Sequence, residues 1–155
     1  MSQQRTPEPW VGHALRQLKL VVPGGLATYY LGVWPEFWRT VMGLNGSLAR
    51  TGALAAGGLG LTTVVLFIYI LVLPLTAGEE PDYRSWRKSP VLSSVIPVLT
   101  ASIVLGWLTA VSVLGQWSSL GYLRGVIGVS STYALTFGLL GLIPVPKTKH
   151  KTRSA

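Results

Sequence analysis

The chain has 155 residues, of which 49% are apolar and only 12% are charged, with a net charge of +8 and a mean hydropathy of +0.47. Soluble domains carry about 25% charged residues, so the composition excludes an ordinary water-covered surface and favours a membrane protein. Cysteine is absent from the sequence, which excludes disulfides, thiolate chemistry and cysteine-based metal sites.

Residues 1–19 are polar and read as a cytosolic N-terminal segment, with no cleavable signal pattern. The next segment, 20–41, is ambiguous. Its uncharged core, Leu20 to Pro35, has 16 residues and contains the helix-disfavouring run Pro23-Gly24-Gly25. At about 1.5 Å per residue it reaches about 24 Å, less than the roughly 30 Å of bilayer hydrocarbon. It can therefore lie in the interface, or cross if the helix tilts and the bilayer thins.

The rest of the chain holds two long uncharged runs. Thr51 to Gly78 has 28 residues, enough for one transmembrane helix, and Ser89 to Leu123 has 35, too many for one ordinary span. The second run must therefore fold back, and residues 115–119 supply a polar turn. The pattern predicts spans at 52–76, 91–114 and 120–143.

The basic residues decide how many spans to expect, because short cytoplasmic loops attract lysine and arginine. If 20–41 spans, ten basic residues fall on one side and three on the other. With three spans the division is six against seven. We therefore predict an all-α, polytopic transmembrane helical bundle with four spans, built as one membrane domain over residues 1–155. Both termini, the loop of residues 79–88 and the basic tail of residues 147–155 are then cytosolic. In this four-span prediction the ten basic residues on the cytosolic side are Arg5, Arg16, Lys19, Arg84, Arg87, Lys88, Lys147, Lys149, Lys151 and Arg153. The three basic residues on the other side are Arg39, Arg50 and Arg124.

The charge clusters flank apolar stretches, so we expect membrane lipids as partners and no nucleic acid. The sequence offers little for catalysis. Glu79, Glu80 and Asp82 form an acidic cluster, but the basic residues that follow within six positions neutralise it in a solvated loop. His13 and His150 lie in the two tails without a second ligand at useful spacing. We expect no catalytic, cofactor-binding or metal-binding residues; an enzyme that uses the acidic cluster is the weakest alternative.

Small residues recur at four-residue spacing in three of the predicted spans, which lets helix backbones approach closely in lipid. They predict helix packing within the bundle or against a larger membrane protein subunit, and they are Gly52, Ala56, Gly60, Gly106, Ala110, Gly121 and Gly125. Pro97, inside the third span, removes a backbone hydrogen bond and predicts a kink. A further group is expected at the lipid headgroups, by snorkelling or as interfacial aromatics: Arg124, Trp86, Arg87, Lys88 and Trp117.

Residues 71–145 resemble the phosphatidylinositol-glycan biosynthesis class F family. The residues that carry the resemblance are Leu73-Pro74-Leu75, Gly78, Trp86, the segment Leu105 to Ala110, and Trp117 ten residues after Trp107. Where that family has an acidic-Trp-acidic-Arg element, this chain has Gln116-Trp117-Ser118-Ser119. The resemblance implies an endoplasmic reticulum protein that accompanies the ethanolamine-phosphate transferases of GPI-anchor assembly.

Two functions follow as hypotheses. The first is a non-catalytic stabilising or scaffolding subunit of a membrane enzyme complex, by resemblance the GPI ethanolamine-phosphate transferase. The alternative is a small lipid or solute transporter or carrier, for which a kinked, glycine-rich helix bundle is suggestive.

Overall fold

A computed structural model describes residues 9–77, 87–88 and 90–143, and this part of the chain forms five α-helices, with residues 87–88 in a short 3₁₀ turn. In order they are α1 (Pro9–Tyr30), α2 (Val33–Val41), α3 (Ser47–Ala77), α4 (Leu92–Trp117) and α5 (Gly121–Gly141). The prediction of an all-α membrane bundle is confirmed at this level. Three helices are long and apolar enough to cross a bilayer: Ser47–Leu73, Leu92–Trp117 and Gly121–Gly141.

The first predicted span, 20–41, is wrong in its boundaries. The structure divides it at Gly32, which has φ of 62° and ends α1 in the left-handed conformation that glycine adopts without steric cost. The Gly32 amide donates to the Tyr29 carbonyl, and α2 begins directly afterwards. Helix α1 starts eleven residues earlier than predicted, so the charged side chains of Arg16 and Lys19 lie within it.

The other predicted spans shift by smaller amounts. Helix α3 starts at Ser47 and is 31 residues long, while α4 continues to Trp117 through most of the predicted polar turn. Gly121, with φ of 70°, begins α5 after a turn of three residues. Within this turn the Leu120 amide donates to the Ser118 hydroxyl at 3.2 Å, which gives this backbone N–H group a hydrogen-bond partner.

The four long helices form a curved row in which neighbours are antiparallel. Helix α1 packs against α5, α5 against α4, and α4 against α3, whereas α1 and α3, at the two ends of the row, form no packed pair in the described chain. The short helix α2 bridges these ends, since it packs on α3 and also touches α1, α4 and α5. Val33 of α2 joins the buried core with Val111, Leu114 and Val129.

This arrangement fixes which side chains share an end of the bundle. His13, near the start of α1, lies beside Gly141 at the end of α5. The opposite end carries a belt of exposed aromatic side chains, the pattern found at membrane-water interfaces: Tyr29, Tyr30, Trp34, Trp38, Trp117 and Tyr122. Basic residues described at the His13 end are Arg16, Lys19, Arg87 and Lys88, and those at the aromatic end are Arg39, Arg50 and Arg124.

Candidate functional site: an intramembrane cavity beneath α2

The curved row and α2 line a partly open cavity of about 410 Å³ in the half of the bundle nearest the aromatic belt. All five helices contribute to its wall, and none of its lining side chains is charged. These side chains are Thr28, Val33, Trp34, Phe37, Ala56, Gly57, Gly60, Leu61, Thr63, Val64, Gly106, Ala110, Leu114, Val129, Thr132, Tyr133, Thr136 and Phe137.

Helix α2 forms the roof of the cavity through Val33, Trp34 and Phe37. Its position depends on a glycine in α5: a Cβ built on Gly128 would lie 2.5 Å from Cγ2 of Val33, so only glycine leaves room for this methyl group. On the other side of the roof, a Cβ on Gly57 of α3 would lie 3.4 Å from Cζ of Phe37. Helix α2 is therefore held between α5 and α3.

Aromatic side chains close the opposite end. Phe137 lies nine residues beyond Gly128 along α5, about 13 Å deeper, and its ring is 5.8 Å from that of Phe67 on α3 and 6.0 Å from that of Tyr133. The Tyr133 hydroxyl points at α4, where a Cβ on Gly106 would lie 2.6 Å from it. The cavity therefore runs between aromatic side chains at both ends.

Four threonines supply most of the polar atoms of the wall. Each donates its hydroxyl proton to the carbonyl one turn back on its own helix: Thr28 to Gly24 at 2.7 Å, Thr63 to Leu59 at 2.9 Å, Thr132 to Gly128 at 2.9 Å and Thr136 to Thr132 at 2.8 Å. The oxygen atoms keep their lone pairs, so the wall offers acceptors more than donors. Within the described residues the Tyr133 hydroxyl has no hydrogen-bond partner, which leaves it free to donate to a ligand.

An uncharged wall rich in aromatic and small side chains suits a compact, mainly apolar molecule. Binding pockets for small ligands typically span about 300 to 1,000 Å³ and combine apolar walls with a few placed polar groups. Nothing in the wall supplies a nucleophile with a base, or a pair of carboxylates, so the arrangement is suited to binding.

The seven small residues predicted to mediate packing lie in three kinds of place. Gly52 and Gly106 are at tight contacts, where an added Cβ would lie 2.6 Å from Val113 Cγ2 and from Tyr133 Oη respectively, and Gly125 faces the Gly115 backbone at 3.4 Å. Ala56, Gly60 and Ala110 line the cavity, and a Cβ on Gly60 meets nothing within 4 Å. Gly121 is a turn residue with positive φ. Contact with a partner subunit stays a prediction for all seven.

The residues predicted at lipid headgroups lie at the ends of the bundle. Arg124 and Trp117 are exposed at the aromatic end, and Arg87 and Lys88 are exposed ahead of α4. Pro97 lies inside α4, which continues through it. Their contact with lipid, and the kink at Pro97, stay predictions. Trp86, the acidic cluster Glu79, Glu80 and Asp82, and His150 lie outside the described residues.

His13 has a packing partner in the structure: its Nε2 atom is 2.8 Å from the Gly141 carbonyl oxygen. The sequence-based prediction missed the cavity residues Thr28, Trp34, Tyr133 and Phe137. The sequence does contain a signal for Tyr133 and Phe137, which are four residues apart. Thr132 and Thr136, directly before them, have the same spacing. This spacing places a hydroxyl row beside an aromatic row on one helix.

Comparison with known proteins gives one informative match. Over 135 aligned residues the chain is 24% identical to the riboflavin transporter RibU of Leuconostoc mesenteroides, and the match covers 79% of this chain and 68% of that transporter. No family model matches the chain, and no solved structure matches it.

This match overturns the resemblance to the phosphatidylinositol-glycan biosynthesis class F family, which rested on a few Gly, Leu and Trp residues common in membrane helices. The inferred role in GPI-anchor assembly, the accessory-subunit role and the endoplasmic reticulum location lose their support with it. The prediction that the chain is not an enzyme agrees with a relative that is a transporter. The chain is thus a helical membrane protein that is similar to a riboflavin transporter.

Proposed function

We propose that this protein is a membrane carrier for a small, planar, mainly apolar solute, which binds in the cavity beneath α2. The observation that carries the proposal is the cavity itself: an uncharged, aromatic-capped space of about 410 Å³ between helices that are long and apolar enough to cross a bilayer. A scaffolding subunit would have no need of such a space, whereas binding pockets for small ligands typically span about 300 to 1,000 Å³.

The shape of the row supports passage into and out of the cavity. Helices α1 and α3 do not pack against each other in the described chain, and only the nine-residue α2 bridges them. Glycines with positive φ flank α2, Gly32 before it and Gly43 after it. Movement of this short helix about the two glycines would open the cavity, and it would require Val33 to leave the buried core that it shares with Val111, Leu114 and Val129.

The relative's name supplies a first candidate for the solute. Riboflavin combines a planar three-ring heterocycle with a polyol chain, and the rings of Trp34, Phe37, Tyr133 and Phe137 can stack on or edge against such a heterocycle. The threonine oxygens and the Tyr133 hydroxyl can bond its polar edge. We therefore propose flavins, and planar heteroaromatic compounds of similar size, as the class to test first.

The test is a titration of riboflavin with the purified protein in detergent, followed by the quenching of flavin fluorescence. A Gly60→Leu variant places a bulky side chain in the cavity at a position where an added Cβ meets nothing within 4 Å. We expect saturable quenching by the unmodified protein and at least a tenfold weaker Kd in Gly60→Leu.

Gly58→Leu is the matched control, since Gly58 is two residues away on the same helix, also has open space at its Cβ, and does not line the cavity. This variant should bind riboflavin like the unmodified protein. In proteoliposomes, uptake of riboflavin should be lost in Gly60→Leu and kept in Gly58→Leu. Equal binding by both variants, or the absence of saturable binding by the unmodified protein, would contradict the proposal for flavins.

A further inference from the structure

Two threonine hydroxyls face each other across the α1–α5 contact at the cavity wall. The Oγ1 atoms of Thr28 and Thr132 are 3.4 Å apart. The distance suggests a weak hydrogen bond between them, but such a bond requires one of the two oxygens to supply a proton.

Both protons are already committed. Thr28 lies 2.7 Å from the Gly24 carbonyl oxygen, and Thr132 lies 2.9 Å from the Gly128 carbonyl oxygen. A carbonyl oxygen can only accept, so the threonine must donate in each of these short contacts, and a hydroxyl has a single proton. The Oγ1 atoms of Thr28 and Thr132 therefore face each other with lone pairs. Their separation of 3.4 Å is longer than the about 2.8 Å that is typical of a hydrogen bond between two hydroxyls.

We propose that Thr28 and Thr132 form a paired acceptor site that selects ligands with an N–H or O–H donor at the edge of an apolar ring system. A donor placed between the two oxygens bonds both at once and removes their repulsion. This inference rests on the proposed function, because it names the polar feature that the bound solute must carry.

The geometry of the wall gives the donor a defined place. Thr28 is on α1 and Thr132 on α5, and both line the cavity together with the Tyr133 ring. A flat heterocycle that stacks near Tyr133 therefore presents one edge to the threonine pair. Imide, lactam and amino-substituted heterocycles carry such a donor, whereas pure hydrocarbons, and rings whose nitrogen atoms are all alkylated, do not.

Lumiflavin and 3-methyllumiflavin are suitable probes, because lumiflavin has a single N–H donor and the methylated compound has none. We expect the unmodified protein to bind lumiflavin about tenfold more tightly than 3-methyllumiflavin, the effect of one hydrogen bond to a desolvated site. Thr28→Val and Thr132→Val keep the side-chain shape. In these variants the affinity for lumiflavin should fall toward the affinity for 3-methyllumiflavin. The affinity for 3-methyllumiflavin should change little.

Thr62→Val is the matched control, since Thr62 makes the same bond to a carbonyl one turn back, at 2.9 Å to Gly58, but does not line the cavity. It should bind both probes like the unmodified protein. If lumiflavin and its methylated analogue bind equally well, and the two valine variants change neither affinity, the acceptor site is refuted while the carrier for flavins stands.

A measurement without ligand tests the pair even if flavins do not bind. Both Thr28→Val and Thr62→Val remove one bond to a helix carbonyl. If Thr28 and Thr132 shared a hydrogen bond, Thr28→Val would lose that bond as well and would melt below Thr62→Val, whereas removal of one of two facing acceptors should leave Thr28→Val melting at or above the temperature of Thr62→Val. Thr62→Val reports the effect of losing only the bond to the helix carbonyl. A Thr28→Val protein that melts clearly below Thr62→Val would overturn the inference.

Discussion

Val33 and Gly128 interlock at the point where the short helix α2 meets α5: a Cβ on Gly128 would fall 2.5 Å from Cγ2 of Val33. Val33 is buried and β-branched, so its methyl group cannot rotate away freely. Gly128→Ala should therefore push α2 off α5. We expect a loss of about 1 to 3 kcal/mol in stability, the usual cost of overpacking, and weaker riboflavin binding, because α2 roofs the cavity.

A double-mutant cycle separates this clash from other effects. Val33→Ala removes the methyl group that occupies the space, so Gly128→Ala should cost much less in that background than alone, with a coupling of about 0.5 to 3 kcal/mol. The readout is the apparent melting temperature in detergent. Additive losses would mean that Val33 and Gly128 are not in direct contact.

Two adjacent glycines in α1 offer a second prediction. A Cβ on Gly24 would lie 2.9 Å from the Ser131 carbonyl oxygen and 3.0 Å from the Leu135 amide nitrogen, both backbone atoms of α5. A Cβ on Gly25 would meet only Leu135 Cδ1, at 3.7 Å. Backbone atoms cannot move without separating the helices, so Gly24→Ala should lower the melting temperature and Gly25→Ala should not. Similar melting temperatures for the two variants would argue against this close crossing of α1 and α5.

Helices α3, α4 and α5 could be predicted because each lies in a run of mostly uncharged residues long enough to cross the bilayer. The break between α1 and α2 could not, since it depends on the left-handed conformation of Gly32 and on contacts remote in sequence. Helix α1 begins among charged residues because its packing on α5, through Gly24 and through His13 beside Gly141, extends it toward the N-terminus. Tertiary contacts of this kind override local composition.

The candidate site was less predictable than the fold. Its wall draws on five helices, and its aromatic and threonine side chains are ordinary components of membrane helices when seen in sequence. Only Ala56, Gly60, Gly106 and Ala110 were singled out beforehand, and they were assigned to packing. Whether a small residue meets a neighbouring helix or an empty space depends on the curvature of the row, which no local pattern contains.

A polar contact between α4 and α5 gives a third prediction. The indole Nε1 of Trp107 donates to Oγ of Ser130 at 3.1 Å. Ser130→Ala should lower stability by about 0.6 kcal/mol, the average measured for hydrogen bonds between helices in membranes, and should shift the tryptophan emission. Ser131→Ala is the control, because the Ser131 side chain makes no hydrogen bond within the described chain. Identical melting curves for the two variants would show that the Trp107 bond contributes nothing.

The last prediction concerns the number of spans. Antiparallel packing of α1 on α5 places Gly12 at the end of the bundle opposite Ser119, which lies in the turn between α4 and α5. If α1 crosses the bilayer, these positions face opposite sides. If only the three apolar helices cross, the N-terminal segment stays on the side of Ser119. The chain has no cysteine, so single cysteines report these positions without background.

Gly12→Cys and Ser119→Cys should both be tolerated, since both residues are exposed and a Cβ on Gly12 meets nothing within 4 Å. A membrane-impermeant maleimide added to sealed right-side-out vesicles should then label only Ser119→Cys, and both variants after the vesicles are opened. This orientation follows from the excess of basic residues in the tails, which favours the cytosolic side. Labelling of both variants from the same side would establish three spans, and would leave α1 as a helix that does not cross the membrane.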